Sequence, residues 1–551
     1  MRRLKSLGAL VGAAGLVTAV AACGTSTSGS SAGSTLTISN ESGSTWNCQF
    51  NPFNENVNWE LFGPVYEPLV FMDSLESGKA SPWLAKSWSW NASDTQVTFT
   101  MRSGANWQDG VPITAADVVY TFNLLKQHTA LDLNADWSVL KSVVQKGSNQ
   151  VVMTFDGPGL TSFYLVAYDT PIVPEHIWSK ISNPVTYPDK NPVGSGAYTI
   201  GSCTPENIKF VANKHYYLPG EPKIQTVNYP AFLSNTPANQ ELADGQAQWG
   251  NQFIPSIQSF YSDKSPNNKY WFPPTLNNDL FINLTKPLLD NVAVREAMSY
   301  AIDRSKVSTD GEYGYEPPAN QSGIVTPTFS SWLDTSLTSQ YDYTYDPAKA
   351  EQILTTAGFT KGSNGIFQNS AGQLNFTVIN IGGDSDFVAD MQIVQQEFKA
   401  VGIGLTVDNL SENAFDSDLF NGDYQLAYYY ETGGPTPYYE FRQWLDSANS
   451  APIGQAASYN YERYDNPATD ALLNEYADTT STTLQHQIMD QLQQVMLTQL
   501  PVIPIVESVD WYEYNTGAFT GWPTPSNPYD QPGPAQNPDF GWTLLHLAPK
   551  K

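Results

Sequence analysis

An α/β fold divided into two or three lobes is what this sequence predicts, and three observations carry it. The chain has 551 residues, more than one hydrophobic core organises, since single cores stop growing at about 250–300 residues. Stretches with period-two alternation are interleaved with stretches of helical spacing. Glycine, proline and capping residues fall where those stretches end. Strands that alternate with amphipathic helices pack as α/β lobes.

Each element has its own local reason. Leu36–Ser39 alternates as a strand and opens the folded part. Val97–Met101 alternates likewise, and Ser103-Gly104 and Asp109-Gly110 supply turns after it. Thr114 lies three residues before Asp117, a helix start signal, with Val118, Val119, Phe122 and Leu125 on one side. Asp346-Pro347 caps a second helix through Ala350, Ile353, Leu354 and Ala357, which Gly358 stops. Phe387, Met391, Val394, Phe398 and Val401 repeat the pattern and end at Gly402, with strands expected at Phe376–Ile381 and Leu405–Val407. A helix is expected from Asp470 to Leu500, ended by Pro501. The Pro-, Asn- and Gly-rich tail after Gly521 is expected to wrap the surface as ordered loop.

The N-terminus reads as a targeting segment. Arg2, Arg3 and Lys5 precede an apolar run from Leu7 to Ala22, shorter than the roughly 20 residues a spanning helix needs. Val20-Ala21-Ala22-Cys23 places small residues directly before a cysteine and resembles the bacterial lipobox. That resemblance implies a signal peptide over residues 1–22 and a lipidated Cys23 as the first mature residue; the alternative is an ordinary secretory signal. Two or more acyl chains would hold the protein on a membrane. Gly24–Ser34 is too poor in apolar residues to fold and reads as a tether.

Charge excludes one partner class. The precursor carries 27 basic and 54 acidic residues, a formal charge of −27. Cleavage removes three basic residues and no acidic one, leaving −30. Such a surface repels phosphate backbones, so no nucleic acid partner is expected. Beyond Cys23, Cys48 and Cys203 form an even pair, a disulfide candidate in an oxidising compartment, with two free thiols as the alternative. Fifteen Trp and 30 Tyr exceed what packing requires, so some rings are expected to line a binding surface.

Catalytic chemistry is not legible. His128, His176, His215, His486 and His546 are scattered, with no pair at zinc-ligand spacing. Gly383-Asp384-Ser385 lacks the Gly-x-Ser-x-Gly elbow, and Gly194-Ser195-Gly196 lacks the rest of a nucleotide fingerprint. A carboxylate pair of glycosidase type stays open among so many acids, but a binding module is the simpler reading. No enzyme activity, metal or cofactor is expected.

Several segments together carry a family resemblance. Leu84–Trp88, Thr98-Phe99, Arg102–Gly104, Trp107–Gly110, Pro112–Thr114 and Ala116–Val118 resemble the signature of extracellular solute-binding proteins of family 5, the dipeptide- and oligopeptide-binding class of ABC importers. Val173–Trp178, Pro192–Tyr198, Asn213–Tyr217, Phe281–Asn283, Val294–Arg304 and Tyr345–Gly358 continue in the family's order. The landmarks themselves read as structural, with Trp88, Trp107 and Asp109-Gly110 in core and turn and Asp303 and Arg304 as a helix-end ion pair.

The resemblance implies a periplasmic-binding-protein-like architecture, two α/β lobes around a hinge and ligand cleft plus a small inserted lobe. Lobe I is expected at 35–58, 193–275 and 505–551, the inserted lobe II at 59–192, and lobe III at 276–504. It further implies a monomer that hands its ligand to a permease and ATPase complex, outside the cytoplasm at the outer face of the cell membrane or in the periplasm.

Peptide binders of this family hold the peptide amino terminus with aspartate in a stretch resembling W-x-x-D-x-x-D-P. Here that region reads Tyr428–Pro435, with Glu431 in place of the expected aspartates. Asp510–Thr516, Thr520–Thr524 and Trp249–Asn251 resemble members that bind oligosaccharides. Peptide is the first expectation and oligosaccharide the alternative; a secreted hydrolase or a sensory lipoprotein is more remote. The expected cleft residues are Trp46, Trp249, Asn251, Asn283, Tyr430, Glu431, Tyr438 and Trp511.

Overall fold

The structure, a computed structural model, describes residues 35–40, 43–54 and 59–550. The signal peptide, Cys23 and the tether lie outside the described residues.

Three sheets organise the chain. A seven-stranded sheet runs in the order Asn268–Tyr270, Glu513–Asn515, Trp249–Asn251, Thr35–Asn40, Thr226–Pro230, Asn207–Ala212, Tyr198–Thr204. Its central strand, Thr35–Asn40, lies parallel to both neighbours. A five-stranded sheet runs Gly404–Leu410, Asn375–Ile381, Leu426–Tyr430, Pro274–Ile282, Val502–Val509. The parallel pair Asn375–Ile381 and Gly404–Leu410 is joined through the helix Ser385–Ala400, the crossover that parallel strands require. A four-stranded antiparallel sheet occupies residues between Ala85 and Phe155. These are two α/β lobes around a hinge and cleft, with a smaller inserted lobe.

Alternation explains the five-stranded sheet. Leu280 and Ile282 enter one core with Val378 and Ile503, while Phe281 enters another with Ile379 and Val502. Successive side chains point to opposite faces, so both faces are covered by helices. Two long strands, Pro274–Ile282 and Val502–Val509, pair antiparallel and lead out of this sheet toward the seven-stranded one. There Trp271 N donates to Tyr512 O and Asp510 N to Pro273 O, so the two crossing segments form one hinge.

Local signals act as expected at several ends. Thr114 and Asp117 form a full capping box on the helix Ala115–Gln127. Gly358 and Gly402 take the left-handed conformation just past their helices, with φ of +87° and +81°. The close packing of Gly194 and Gly196 is backbone on backbone: an added Cβ would fall 1.8 Å from Val65 O and 2.2 Å from Pro64 O. Cys48 and Cys203 are joined in a disulfide, with Cα atoms 5.8 Å apart.

Three expectations are corrected. The stretch from Asp470 to Leu500 is two helices, Pro467–Asp478 and Thr482–Gln499, because Ser481 caps the second through Leu484 N. The tail after Gly521 is not confined to surface loop, since the helix Asp539–His546 buries Phe540 and Leu544 completely. Asp303 and Arg304 form no ion pair among the described residues. Asp303 caps Lys306 N, and Arg304 donates to Pro504 O, Ser299 O and Gln321 Oε1.

Candidate functional site

One group of aromatic rings gathers at the hinge. Trp511 lies two residues past the strand Val502–Val509, and Phe272 two residues before the other crossing strand, Pro274–Ile282. Their rings meet edge to face at 4.8 Å. Phe253, just past the strand Trp249–Asn251, meets Trp511 at 5.6 Å, and Tyr315 meets it at 6.2 Å. Tyr270 and Tyr313 extend the group, 36% and 49% exposed. Rings that bury fully act as core, as Phe253 does at 4% exposed; Trp511, Phe272 and Tyr315 are only half-buried, and exposed ring surface is how aromatic groups meet a ligand.

A second, smaller ring group lies at the end of the strand Leu426–Tyr430. Tyr430 is 38% exposed, stacks on Tyr429 at 4.6 Å and meets the edge of Phe387. Across the opening the lobes touch directly, since Asn235 and Ser385 exchange hydrogen bonds of 3.1 and 3.2 Å. These residues begin the helices Asn235–Ala243 and Ser385–Ala400, one on each lobe. At Gly43 an added Cβ would fall 1.7 Å from Glu412 Oε2, a second close approach between the same two lobes.

The interior beneath is unusually acidic. Asp279, Glu431, Glu440 and Glu462 are each at most 2% exposed. Burial, then the neighbouring carboxyls Glu462, Asp279 and Glu440, holds Glu431 well above the usual carboxylate range. Burial pushes Glu440 up to about 8, against the hydrogen bonds it accepts from Asn277. A second group joins Glu312, Glu316, Asp386 and Asp390, with Tyr428 Oη donating to Asp390. Burial raises Asp390 to about 7. Such groups avoid the cost of buried charge by staying protonated. No three of them converge as a metal site among the described residues.

The expected cleft residues separate into two sets. Tyr430 and Trp511 present ring surface. Asn251 donates to Asn40 Oδ1, while its own Oδ1 has no partner among the described residues. Trp46 and Trp249 are core, 5% and 0% exposed, with their indole N–H groups donated to Tyr229 O and Pro532 O. Asn283 holds a turn through Gly422 O, Tyr424 O and Thr285. Tyr438 lies buried, stacked on Tyr476 at 4.4 Å. Glu431 is withdrawn into the acidic interior. Phe253, Phe272, Tyr313 and Tyr315 were not among the expected residues; the only sequence signals were the dense runs Tyr270-Trp271-Phe272 and Tyr313-Gly314-Tyr315. A cavity of about 530 Å³ also opens beside the Cys48–Cys203 bridge. Its Gln108 amide is spent on Tyr198 O and Gly194 N, and it lacks the hinge rings.

The family model for bacterial extracellular solute-binding proteins, family 5, matches residues 79–452. The chain belongs to that family. It is a solute-binding protein of the kind that serves ABC importers, working outside the cytoplasm. It is similar to the glutathione-binding protein GsiB of Escherichia coli O157:H7, 22% identical, over 82% of this chain and 85% of that protein. It is also similar to the nickel-binding periplasmic protein of Escherichia coli K12, 23% identical over 71% and 75% of the two chains. Among solved structures, a mannohexaose-bound periplasmic oligopeptide-binding protein of an ABC transporter from Thermotoga maritima superposes with a TM-score of 0.87 at 27% identity. That match covers 94% of this chain and 99% of the other. Family 5 thus spans chemically different solutes on one fold, and the walls of the cleft must select among them. No helix among the described residues is long and apolar enough to cross a membrane.

Proposed function

We propose that this family 5 protein captures a neutral oligosaccharide between its lobes and hands it to an ABC permease and ATPase complex. Cys23 carries a lipid anchor in this reading, and Gly24–Ser34 lets the domain reach the transporter. Lobe I comprises 35–58, 193–275 and 505–551, the inserted lobe 59–192, and lobe III 276–504.

One observation carries the ligand class. Trp511, Phe272 and Tyr315 are half-buried rings at the hinge, while Glu431, in the stretch where the resembling peptide binders carry their ammonium-binding aspartate, is buried and held well above the usual carboxylate range. A neutral carboxyl offers an ammonium no charge, whereas flat rings suit the apolar faces of pyranoses. The mannohexaose in the Thermotoga maritima structure supports the same choice.

The test is isothermal titration of the chain from residue 24 onward against mannohexaose, a β-1,4 glucohexaose and a panel of di- to hexapeptides. Saccharide binding that weakens about 5- to 30-fold in Trp511→Ala is the expected result, since one aromatic contact and its buried area are worth about 1–2 kcal/mol. Binding of peptides alone would overturn the saccharide reading and restore a peptide role for the same cleft.

A further inference from the structure

The segment 307–316 is built at a cost that packing alone does not explain. Val307–Gly311 forms a single π turn, a conformation that appears mostly at functional sites. Two residues on, Tyr313 adopts φ of +54°, the left-handed region. For a bulky residue that is a true outlier, tolerated where surroundings enforce it. Gly314 follows at φ of +76° and has no such difficulty.

The enforcement is visible. Ser308 Oγ donates to Glu316 O at 2.6 Å, and Gly314 N donates to Ser308 O at 2.7 Å. Glu316 accepts from Asn278 Nδ2 at 2.6 Å and from Val509 N at 3.1 Å. Asn278 and Val509 stand on the two crossing strands, so one carboxyl grips both. Tyr315 Oη accepts from Ile257 N, reaching the other lobe. Tyr315 is tied down through its hydroxyl, while the Tyr313 ring stands more open. It is 49% exposed, edge-on to Phe253 at 5.9 Å and nearly parallel to Tyr315 at 6.4 Å. A strained backbone that delivered its ring into the core would be repaid by burial. Here the strain holds a ring half open, beside the Trp511 group.

We infer that Tyr313 is a ligand-contacting, specificity-determining residue, a ring held out at the hinge to cover a sugar face at the Trp511 end of the site. This rests on the oligosaccharide reading above.

Tyr313→Gly makes the inference testable, because glycine accepts the left-handed backbone while losing the ring. The expected result is binding of mannohexaose or β-1,4 glucohexaose about tenfold or more weaker, with the Tm unchanged or slightly raised. Tyr313→Phe keeps the ring and should bind within about threefold of wild type. Tyr345→Gly, which removes a comparably exposed ring elsewhere (39% exposed), should leave affinity unaltered. Tyr313→Gly binding within about twofold of wild type would overturn the inference, as would a lowered Tm with unchanged affinity. If wild type binds peptides and no saccharide, the oligosaccharide reading falls, and the same affinity ratio measured on the peptide decides the role of Tyr313. If it binds neither, both fall.

Discussion

Cutting the Cys48–Cys203 bridge should destabilise the protein by about 3–5 kcal/mol, the range coming from what the bridge encloses. The two cysteines are 155 residues apart, and closing a loop of that length removes chain entropy worth about 5 kcal/mol at 25 °C. Within the loop, however, lies the four-stranded sheet that spans Ala85–Phe155 with its own buried Val97, Phe99, Val151 and Met153. If that lobe stays folded while the seven-stranded sheet opens, the free chain shrinks to roughly 20 residues and the contribution falls to about 3 kcal/mol. The bridge also holds the segment from which Trp46 N–H groups reach Pro205 O and Tyr229 O. The assay is urea unfolding followed by circular dichroism, comparing wild type with and without a thiol reductant and the Cys48→Ala/Cys203→Ala double variant. Several lobes need not unfold in one step, so the transition containing the seven-stranded sheet is the one to read. A shift below about 1 kcal/mol in both comparisons would refute the reasoning.

The other predictions concern charge and closure. Glu440→Gln should raise the Tm at pH 7.5 and leave it nearly unaltered at pH 4.5. Burial lifts the folded-state pKa of Glu440 to about 8 from 4.5, so the unfolded chain ionises first and stability falls as pH rises between those values. At about 1.4 kcal/mol per unit, the penalty near pH 7 is about 3 kcal/mol; a difference that does not vary with pH would contradict it. Arg295→Met should cost about 2–4 kcal/mol in urea unfolding. The guanidinium, 4% exposed, donates to Leu289 O, Gln499 O and Leu500 O, and its loss strands those carbonyls; wild-type stability would refute this. Ser385→Ala with Asn235→Ala should widen the ligand-free protein in small-angle scattering by removing the reciprocal bond between the lobes. An unchanged radius of gyration would show that closure does not depend on it.

What the sequence discloses follows the range of the interactions. Capping at Thr114 and Asp117, and helix stops at Gly358 and Gly402, depend on neighbours within four residues, so they were readable. The break at 479–481 is also local, but it turns on Ser481 rather than on a glycine or proline, and the helical pattern runs on past it. The helix Asp539–His546 was not readable, since it is stabilised by distant partners: Phe540 packs on Tyr229, Phe210 and Trp249. The site divides the same way. Trp511 and Tyr430 stand out as rings in family-like stretches. Trp46 and Trp249 look identical at that level, and only their buried N–H bonds assign them to the core. Phe253, Phe272 and Tyr315 come from three separate segments that only the hinge brings together.

The acidic interior links these observations. A formal charge of −27 counts every carboxyl as ionised, yet burial raises Glu440 and Asp539 to about 8 and Asp390, Glu507 and Asp510 to about 7. Folded near neutral pH, the protein therefore carries less negative charge than its composition states, and unfolding releases protons. Protonated carboxyls behave as polar neutral groups, and Asp279, Glu431, Glu440 and Glu462 are buried away from solvent. An acidic composition thus coexists with half-buried rings at the hinge, as the oligosaccharide proposal requires. Glu431 shows the effect at a single position: burial, and then the neighbouring carboxyls Glu462, Asp279 and Glu440, hold it well above the usual carboxylate range.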